Sequence, residues 1–293
     1  MRSLAPAADD PEAISERAPV PFLKWAGGKR QLLPQIELLL PRQIDTYFEP
    51  FLGGAALFFR LAALGSFKRA VLADANPELV SCYQAIRDNV GAVIQALQKY
   101  RNERRRYYAV RARVPSSQVE RAARLIYLNR CGYNGLYRVN SKGEFNVPFG
   151  RYRRPMICDP QKLNAASTAL QGVDIQVADF SETVASAGPK DFVYFDPPYV
   201  PLSKTSSFTG YAARQFGPLE QQRLAGLLRA LGDGGVPALL SNSYSRVTRE
   251  LYRDLDCRRV PARRSINSVA RGRGPVEEVL VRSFLYPLRD GPR

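Results

Sequence analysis

The stretch Val193-Tyr194-Phe195-Asp196-Pro197-Pro198-Tyr199 narrows the choice of fold more than any other: an apolar run stops at an acid, two prolines and a tyrosine. Short continuous apolar runs are the pattern of strands buried on both faces of a parallel sheet. α/β proteins keep their chemistry just past the carboxyl ends of such strands. Successive prolines fix φ twice over and remove two N–H donors. Asp196, the carbonyls of Pro197 and Pro198, and the Tyr199 ring are therefore held stiffly at a sheet edge. A carboxylate, a main-chain carbonyl and an aromatic ring so placed suit gripping a flat heterocycle by its amino group.

Patterning on either side agrees with a doubly wound α/β sheet carrying helices on both faces. Strands are expected at Thr46 to Pro50, Ala70 to Asp74, Val173 to Val177, Phe192 to Phe195, Val236 to Leu240 and Val276 to Phe284. Helices are expected through Leu57, Phe58 and Leu61, after Pro77 at a first-turn position, and from Pro218 to Leu231. From about residue 85 to 130 the pattern turns helical, polar and basic. Leu136 to Asn140 and Glu144 to Val147 then flank Ser141-Lys142-Gly143 as a β-hairpin. The simplest organisation has a leader over residues 1–20, expected to be disordered, and a discontinuous sheet domain over 21–84 and 158–287. A mostly helical domain carrying the hairpin is inserted at 85–157.

Charge singles out that insertion. The chain has a formal charge of +16, and residues 99–154 hold fifteen Lys and Arg against three acids. An isolated basic run is more often a solvated face than a binding site. Here Tyr107, Tyr108, Tyr127, Tyr133, Tyr137 and Tyr152 interleave with the arginines, adding groups able to stack on bases. The expected partner is a nucleic acid. Four cysteines without a CxxC pair suggest neither a disulfide framework nor a zinc site, and they fit a reducing, cytoplasmic compartment. The chain has no histidine, which removes His-based triads, His-bound metals and the commonest general base. No apolar run approaches the ~18 residues of a membrane span.

Two glycine turns accompany the proline corner. Glu49-Pro50-Phe51-Leu52-Gly53-Gly54-Ala55 is a strand-to-helix turn, and Asp74 follows Gly54 by twenty residues at the end of the next strand. In nucleotide-binding folds that acid takes ribose hydroxyls. Without a full G-x-G-x-x-G, the pair indicates an adenosine-bearing cofactor without saying which. Phe22-Leu23-Lys24-Trp25-Ala26-Gly27-Gly28-Lys29 resembles a phosphate loop but fails as one. Leu23 stands where glycine is needed, and Arg30 follows the lysine. Trp25 reads either as core or as the lining of a ligand cleft. In the hairpin, Leu136, Arg138 and Asn140 share a face, and a two-stranded ribbon fits the DNA major groove, where arginine can bind guanine.

Taken in order, FLKWAGGK, EPFLGG, LADANPELV, YLNRCGYNGLYRVNSKGEFNVPFGRY and YFDPPYVPLS resemble the Dam-type DNA adenine-N6 methyltransferases, of the D12 class. The likeness runs from about Pro21 to Phe284 and includes Arg263-Arg264-Ser265-Ile266-Asn267-Ser268. It implies a Rossmann-like methyltransferase sheet with an inserted target-recognition domain, and S-adenosylmethionine as cofactor. Its substrate would be double-stranded DNA, usually at GATC, with no metal. It further implies a monomer working in the cytoplasm on the nucleoid, of prokaryotic or phage origin. Asp196, Pro197, Pro198 and Tyr199 would be catalytic. Trp25, Lys29, Glu49, Pro50, Phe51, Gly53, Asp74, Asp179, Phe180 and Asp196 would bind cofactor, with Asp179 and Phe180 around its adenine. Lys24, Tyr133, Asn134, Leu136, Arg138, Asn140, Pro148 and Tyr152 would meet DNA. The family's Gly-x-Gly-Ser turn is here Gly53-Gly54-Ala55-Ala56, so Ala55 puts a Cβ where the methionine moiety passes. The rival readings are an N4-cytosine or RNA amino-methyltransferase, and a catalytically inactive DNA-binding relative.

Overall fold

The computed structural model describes residues 18–25, 27–200, 216–263 and 275–288. Most of the expected leader, Ala26, the end of the YFDPPYVPLS block and Arg264 to Ser268 lie outside the described residues. In chain order the elements are α1 (Leu33–Glu37), β1 (Thr46–Glu49), α2 (Ala56–Ala63), β2 (Arg69–Asp74) and α3 (Pro77–Gln98). Next come α4 (Arg104–Ala112), α5 (Gln118–Cys131), α6 (Pro160–Leu170), β3 (Asp174–Val177), α7 (Phe180–Thr183) and β4 (Phe192–Phe195). The chain ends with α8 (Pro218–Asp233), β5 (Ala238–Ser243), α9 (Arg246–Leu251), β6 (Asp256–Arg263) and β7 (Pro275–Arg282).

The strands form one sheet in the order β3-β2-β1-β4-β5-β7-β6. The first five run parallel, and β7 lies antiparallel between β5 and β6. Alternation along each strand divides the core between two faces. Tyr47, Phe192, Tyr194 and Leu239 join the cluster that includes Leu57, Phe58 and Leu79 of α2 and α3. Phe48, Val193, Phe195 and Leu240 join Leu224, Ala225 and Leu228 of α8 on the other side. This is the expected α/β sheet with helices on both faces. The chain leaves β1 toward β2 on one side and returns to β4 on the other. The carboxyl ends of β1 and β4 therefore flank the crevice where strand order reverses, the usual ligand site in open α/β sheets.

Local chemistry explains the element starts. Asn76 caps α3 by accepting from Glu78 N and Leu79 N, with Pro77 in the first turn. Asp179 caps α7 in a reciprocal capping box with Glu182. The expected boundary between residues 84 and 85 falls inside α3, which runs on to Gln98 with one non-helical residue at Asn89. Apolar residues of α4 and α5, among them Tyr107, Leu125 and Leu128, belong to the same core cluster as α2. The basic segment thus grows out of a sheet-packing helix and shares its core.

Three features differ from the sequence expectation. β6 was not anticipated, because charges and Pro261 mask an edge strand, the one place in a sheet that tolerates both. Tyr107 and Tyr127 are fully buried and pack together, with Tyr127 stacked on Tyr100 at 4.4 Å, so they are core rings and not base-stacking surfaces. The hairpin is also thinner than two strands. Its only ladder contact is the isolated Val139–Phe145 bridge, helped by Asn140 N donating to Glu144 O and Asn146 N to Arg138 O.

Candidate active site

At the end of β4 the chain turns into Asp196-Pro197-Pro198-Tyr199, and almost every polar group of this corner is tied to another element. Asp196 Oδ1 takes the Lys29 ammonium at 2.7 Å and the Ser241 hydroxyl at 2.9 Å. The Pro198 carbonyl accepts from Gln221 Nε2 of α8 at 2.8 Å. Val200 N donates to Asn242 Oδ1, and its carbonyl accepts from Ser243 Oγ. The Tyr199 hydroxyl donates to Glu278 Oε2 of β7 at 2.5 Å, and Lys29 Nζ lies 4.6 Å from the centroid of its ring. Among the described residues nothing donates to Asp196 Oδ2 or to the carbonyl of buried Pro197. Burial pushes the Asp196 carboxyl upward, while Lys29 and Ser241 act against the rise.

A small cavity opens beside Asp196. It is lined by Trp25, Lys29, Glu49, Gly54, Ala55 and Tyr194, among others. Glu49 ends β1 and is buried. Desolvation lifts its carboxyl to about 8, against a hydrogen bond donated by the Tyr47 hydroxyl. The glycine turn follows buried Pro50. Gly53 N donates to Asp74 Oδ2 at 3.2 Å, and the Gly53 carbonyl accepts from the Tyr83 hydroxyl. Asp74 also accepts from Asn76 N, and burial raises it to about 6. Gly53 has φ 45°, and a Cβ there would meet Trp25 Cδ1 at 2.9 Å, so only glycine lets the indole lie over this turn. Ala55 occupies the left-handed region at φ 52°, ψ 38° and has no glycine's freedom to do so.

Trp25, Lys29, Glu49 and Asp196 therefore share one cavity, with Gly53 and Asp74 hydrogen-bonded at its margin. Asp179 and Phe180 do not line it. Phe180 stacks on Phe51 at 5.6 Å, meets Phe216 edge-on, and lies under the Arg223 guanidinium. Burial would raise Asp179, but its bonds from Ser181 and Arg223 outweigh that and hold the carboxyl below its ordinary range. These residues make an aromatic cluster next to the cavity. The donor set fits the cofactor implied by sequence. The half-buried carboxylate at the end of β2 can accept ribose hydroxyls, and the start of α2 beyond the glycine turn offers main-chain N–H groups.

The basic segment meets this site through Trp25, whose ring stacks on Tyr137 at 5.7 Å. Buried Asn129 accepts from Lys24 N and donates to the carbonyls of Lys24 and Gly135, pinning the hairpin root to the segment before Trp25. Lys24 is exposed, with its ammonium 4.6 Å from the Tyr152 ring centroid, and the Tyr152 hydroxyl accepts from Asn134 N. Tyr133 is exposed and its N–H donates to the carbonyl of exposed Pro148, while Leu136 packs against the core. Arg138 is exposed and donates to Asn146. Asn140 differs from its expected role. Its side chain is spent on its own turn, accepting from Lys142 N and Glu144 N and donating to Glu144 Oε2.

Sequence reasoning missed Ser241, Asn242, Ser243, Gln221 and Glu278. One signal was available for three of them: β5, like β4, is an apolar run that ends in polar residues, Ser241-Asn242-Ser243, all buried.

Comparison with known proteins agrees with the geometry. The family model for D12 class N6 adenine-specific DNA methyltransferases matches residues 25–266. Type II methyltransferase M1.LlaDCHI of Lactococcus lactis subsp. cremoris is 42% identical over 90% of this chain and 95% of its own length. Type II methyltransferase M.MjaIII of Methanocaldococcus jannaschii is 43% identical over 84% and 92%. DNA adenine methylase of Escherichia coli K12 is 38% identical over 88% and 93%. The chain belongs to the D12 class of N6 adenine-specific DNA methyltransferases, enzymes whose methyl donor is S-adenosylmethionine.

Proposed function

We propose that this enzyme methylates adenine within GATC in duplex DNA, and that two unpartnered acceptors of the proline corner, Asp196 Oδ2 and the Pro197 carbonyl, are its catalytic groups. These two groups carry this reading. They are adjacent in the chain, neighbouring elements hold Asp196 and Pro198 on either side of Pro197, and Asp196 lines the cavity at the β1–β4 crevice. Adenine N6 is a poor nucleophile because its lone pair is delocalised into the ring. Two acceptors aimed at its two N–H bonds favour a pyramidal nitrogen whose lone pair projects out of the ring. Preorganised dipoles and in-line placement of this kind supply most of the acceleration in such reactions. Bound S-adenosylmethionine supplies an electrophilic sulfonium methyl. The proton that N6 must lose already lies in the hydrogen bond to Asp196 Oδ2, and burial makes that carboxylate the better base. A chain without histidine can therefore do this chemistry.

N6 is hidden in the duplex, so the base must leave the stack at a cost of a few kcal/mol. Tyr199, which no other aromatic ring of the described residues contacts, would offset roughly 1–3 kcal/mol of it by stacking. Residues 85–157 act as the recognition segment inserted between the two parts of the catalytic domain. Lys24, Tyr133, Asn134, Leu136, Arg138, Pro148 and Tyr152 form its reading face, and the surrounding arginines give strong salt dependence. The protein works as a monomer in the cytoplasm, on the DNA of the nucleoid. Among the described residues no helix is long and apolar enough to cross a membrane. Family membership disfavours the cytosine, RNA and inactive alternatives. Digestion of a plasmid exposed to the enzyme, using nucleases that distinguish methylated from unmethylated GATC, tests the site. Mass analysis of the nucleosides tests the base. Methylation elsewhere than GATC would refute the assigned site, and N4-methylcytosine the assigned base.

A further inference from the structure

We infer that Glu278 is a positioning residue for capture of the flipped base: it holds the Tyr199 phenol and so fixes the plane on which adenine stacks. The inference rests on the reading that Tyr199 receives the base. β7 runs antiparallel to β5 with Ser243 opposite Glu278, which brings this acid to the edge where β4 ends. The Tyr199 hydroxyl donates to Glu278 Oε2 at 2.5 Å.

The bonds around Tyr199 divide into two kinds. Gln221, Asn242 and Ser243 hold main-chain groups of Pro198 and Val200, whereas Ser241 and Lys29 hold the Asp196 carboxylate. None of these fixes the rotation of the Tyr199 ring. Among the described residues its hydroxyl is bonded to Glu278 alone, and the Lys29 ammonium lies over the ring. Loss of Glu278 therefore frees the ring without releasing Asp196 or the corner's backbone. Glu278 needs only an acceptor oxygen to do this. A glutamine carbonyl can replace it, which a proton-relaying acid would not permit.

The test uses the full chain and an oligonucleotide duplex bearing GATC, or the site mapped on a methylated plasmid. Glu278→Ala is expected to lower kcat/KM on the normal duplex roughly ten- to a hundredfold, the effect of losing a hydrogen bond to a charged acceptor. KM for S-adenosylmethionine should not change. Glu278→Gln should restore most of the activity. Fluorescence of 2-aminopurine at the target position should rise less on binding to Glu278→Ala than to wild type. The penalty should also shrink on a duplex whose target adenine is mismatched and already loosened. Tyr199→Phe removes the same bond from its other end, so it should match Glu278→Ala, and the double variant should be little worse than either. This second route keeps the test decisive if Glu278→Ala does not fold. A Glu278→Ala enzyme within twofold of wild type, alongside a crippled Tyr199→Ala enzyme, would overturn the inference but leave the base-stacking reading standing. Equal loss in Glu278→Gln and Glu278→Ala would overturn it too. A fully active Tyr199→Ala enzyme would instead overturn the reading beneath it.

Discussion

From Asp196 to Val200 the chain is held from outside, by the Lys29 turn, α8, β5 and β7. From Leu136 to Asn146 it is held mostly by itself, through Arg138 to Asn146 and Asn140 to Glu144, on a root pinned by Asn129. The first arrangement braces a few atoms from several elements at once, as chemistry on one nitrogen demands. The second leaves a ribbon whose exposed side chains can be exchanged without disturbing a core. Under the proposed function, catalysis and reading are thus separable by mutation, although Trp25 and Tyr137 stack directly between the two regions.

The largest effect should come from breaking the braced corner. Asp196→Asn keeps the volume and a partner for Ser241, but it replaces an anion by a neutral amide. Methylation is expected to fall by at least about 10²–10³-fold, the scale seen when one preorganised electrostatic group is lost. DNA affinity should stay within a fewfold, because the proposed function assigns that affinity to the basic segment. Steady-state rates and fluorescence anisotropy check both halves. Substantial residual turnover would mean that Asp196 is not the amine acceptor.

Arg138→Ala sharpens the contrast from the other side. Arg138 is exposed and bonded only within the hairpin, so unfolding stability should move by less than about 0.5 kcal/mol. Discrimination at one guanine should drop by about 1–3 kcal/mol, measured with single-substituted duplexes. Unchanged selectivity would remove Arg138 from the reading face.

The buried acids behind the corner give a pH test. Glu49 rises from its ordinary 4.5 to about 8 and Asp74 from 3.8 to about 6, both mainly through desolvation. Where the native state holds a proton that the unfolded chain has released, stability falls as pH increases. Asp74 contributes such a fall between about pH 4 and 6, and Glu49 between about 4.5 and 8. The ligand-free protein should therefore melt at lower temperature at pH 8 than at pH 5. Glu49→Gln, neutral at every pH, should flatten most of the slope above pH 6. A slope unchanged in Glu49→Gln would assign the effect to other groups.

The same contrast explains what could be read from sequence. Asp196, Glu49 and Asp74 stand out because each ends an apolar strand, and a single stretch of chain suffices to see it. The braces were invisible because each joins distant positions, as Tyr199 to Glu278 or Asp196 to Ser241. Only the strand order β4-β5-β7 makes them neighbours. The basic segment misled in a different way. Most of its charges are on the surface, buried Arg124 excepted, but Tyr107 and Tyr127 obey helical packing and turn inward, so interleaving in sequence did not mean stacking in space. Asn140 illustrates the same hazard, since a residue beside a Ser-Lys-Gly turn has local donors within reach before any base.

The smallest expected effect concerns Ala55, in the wall of the cavity beside the corner. Its left-handed backbone is set by its own bonds, N–H to the Leu52 carbonyl and carbonyl to Phe59 N, at the start of α2. An L-residue there costs about 1–2 kcal/mol relative to glycine's freedom. Glycine in turn gives back roughly 0.5–1 kcal/mol through the entropy of the unfolded chain. The balance favours Ala55→Gly by about 0.5–1 kcal/mol, a gain of roughly 2–4 °C per kcal/mol in a domain of this size. The methyl group also lines the cavity beside Asp196, so its removal widens the approach to the glycine turn. Calorimetry with and without S-adenosylmethionine separates the two consequences. A higher Tm in both conditions reports relieved strain, and an additional ligand-dependent rise reports a tighter cofactor site. A lower Tm would show that the packing of this fully buried methyl outweighs its backbone strain.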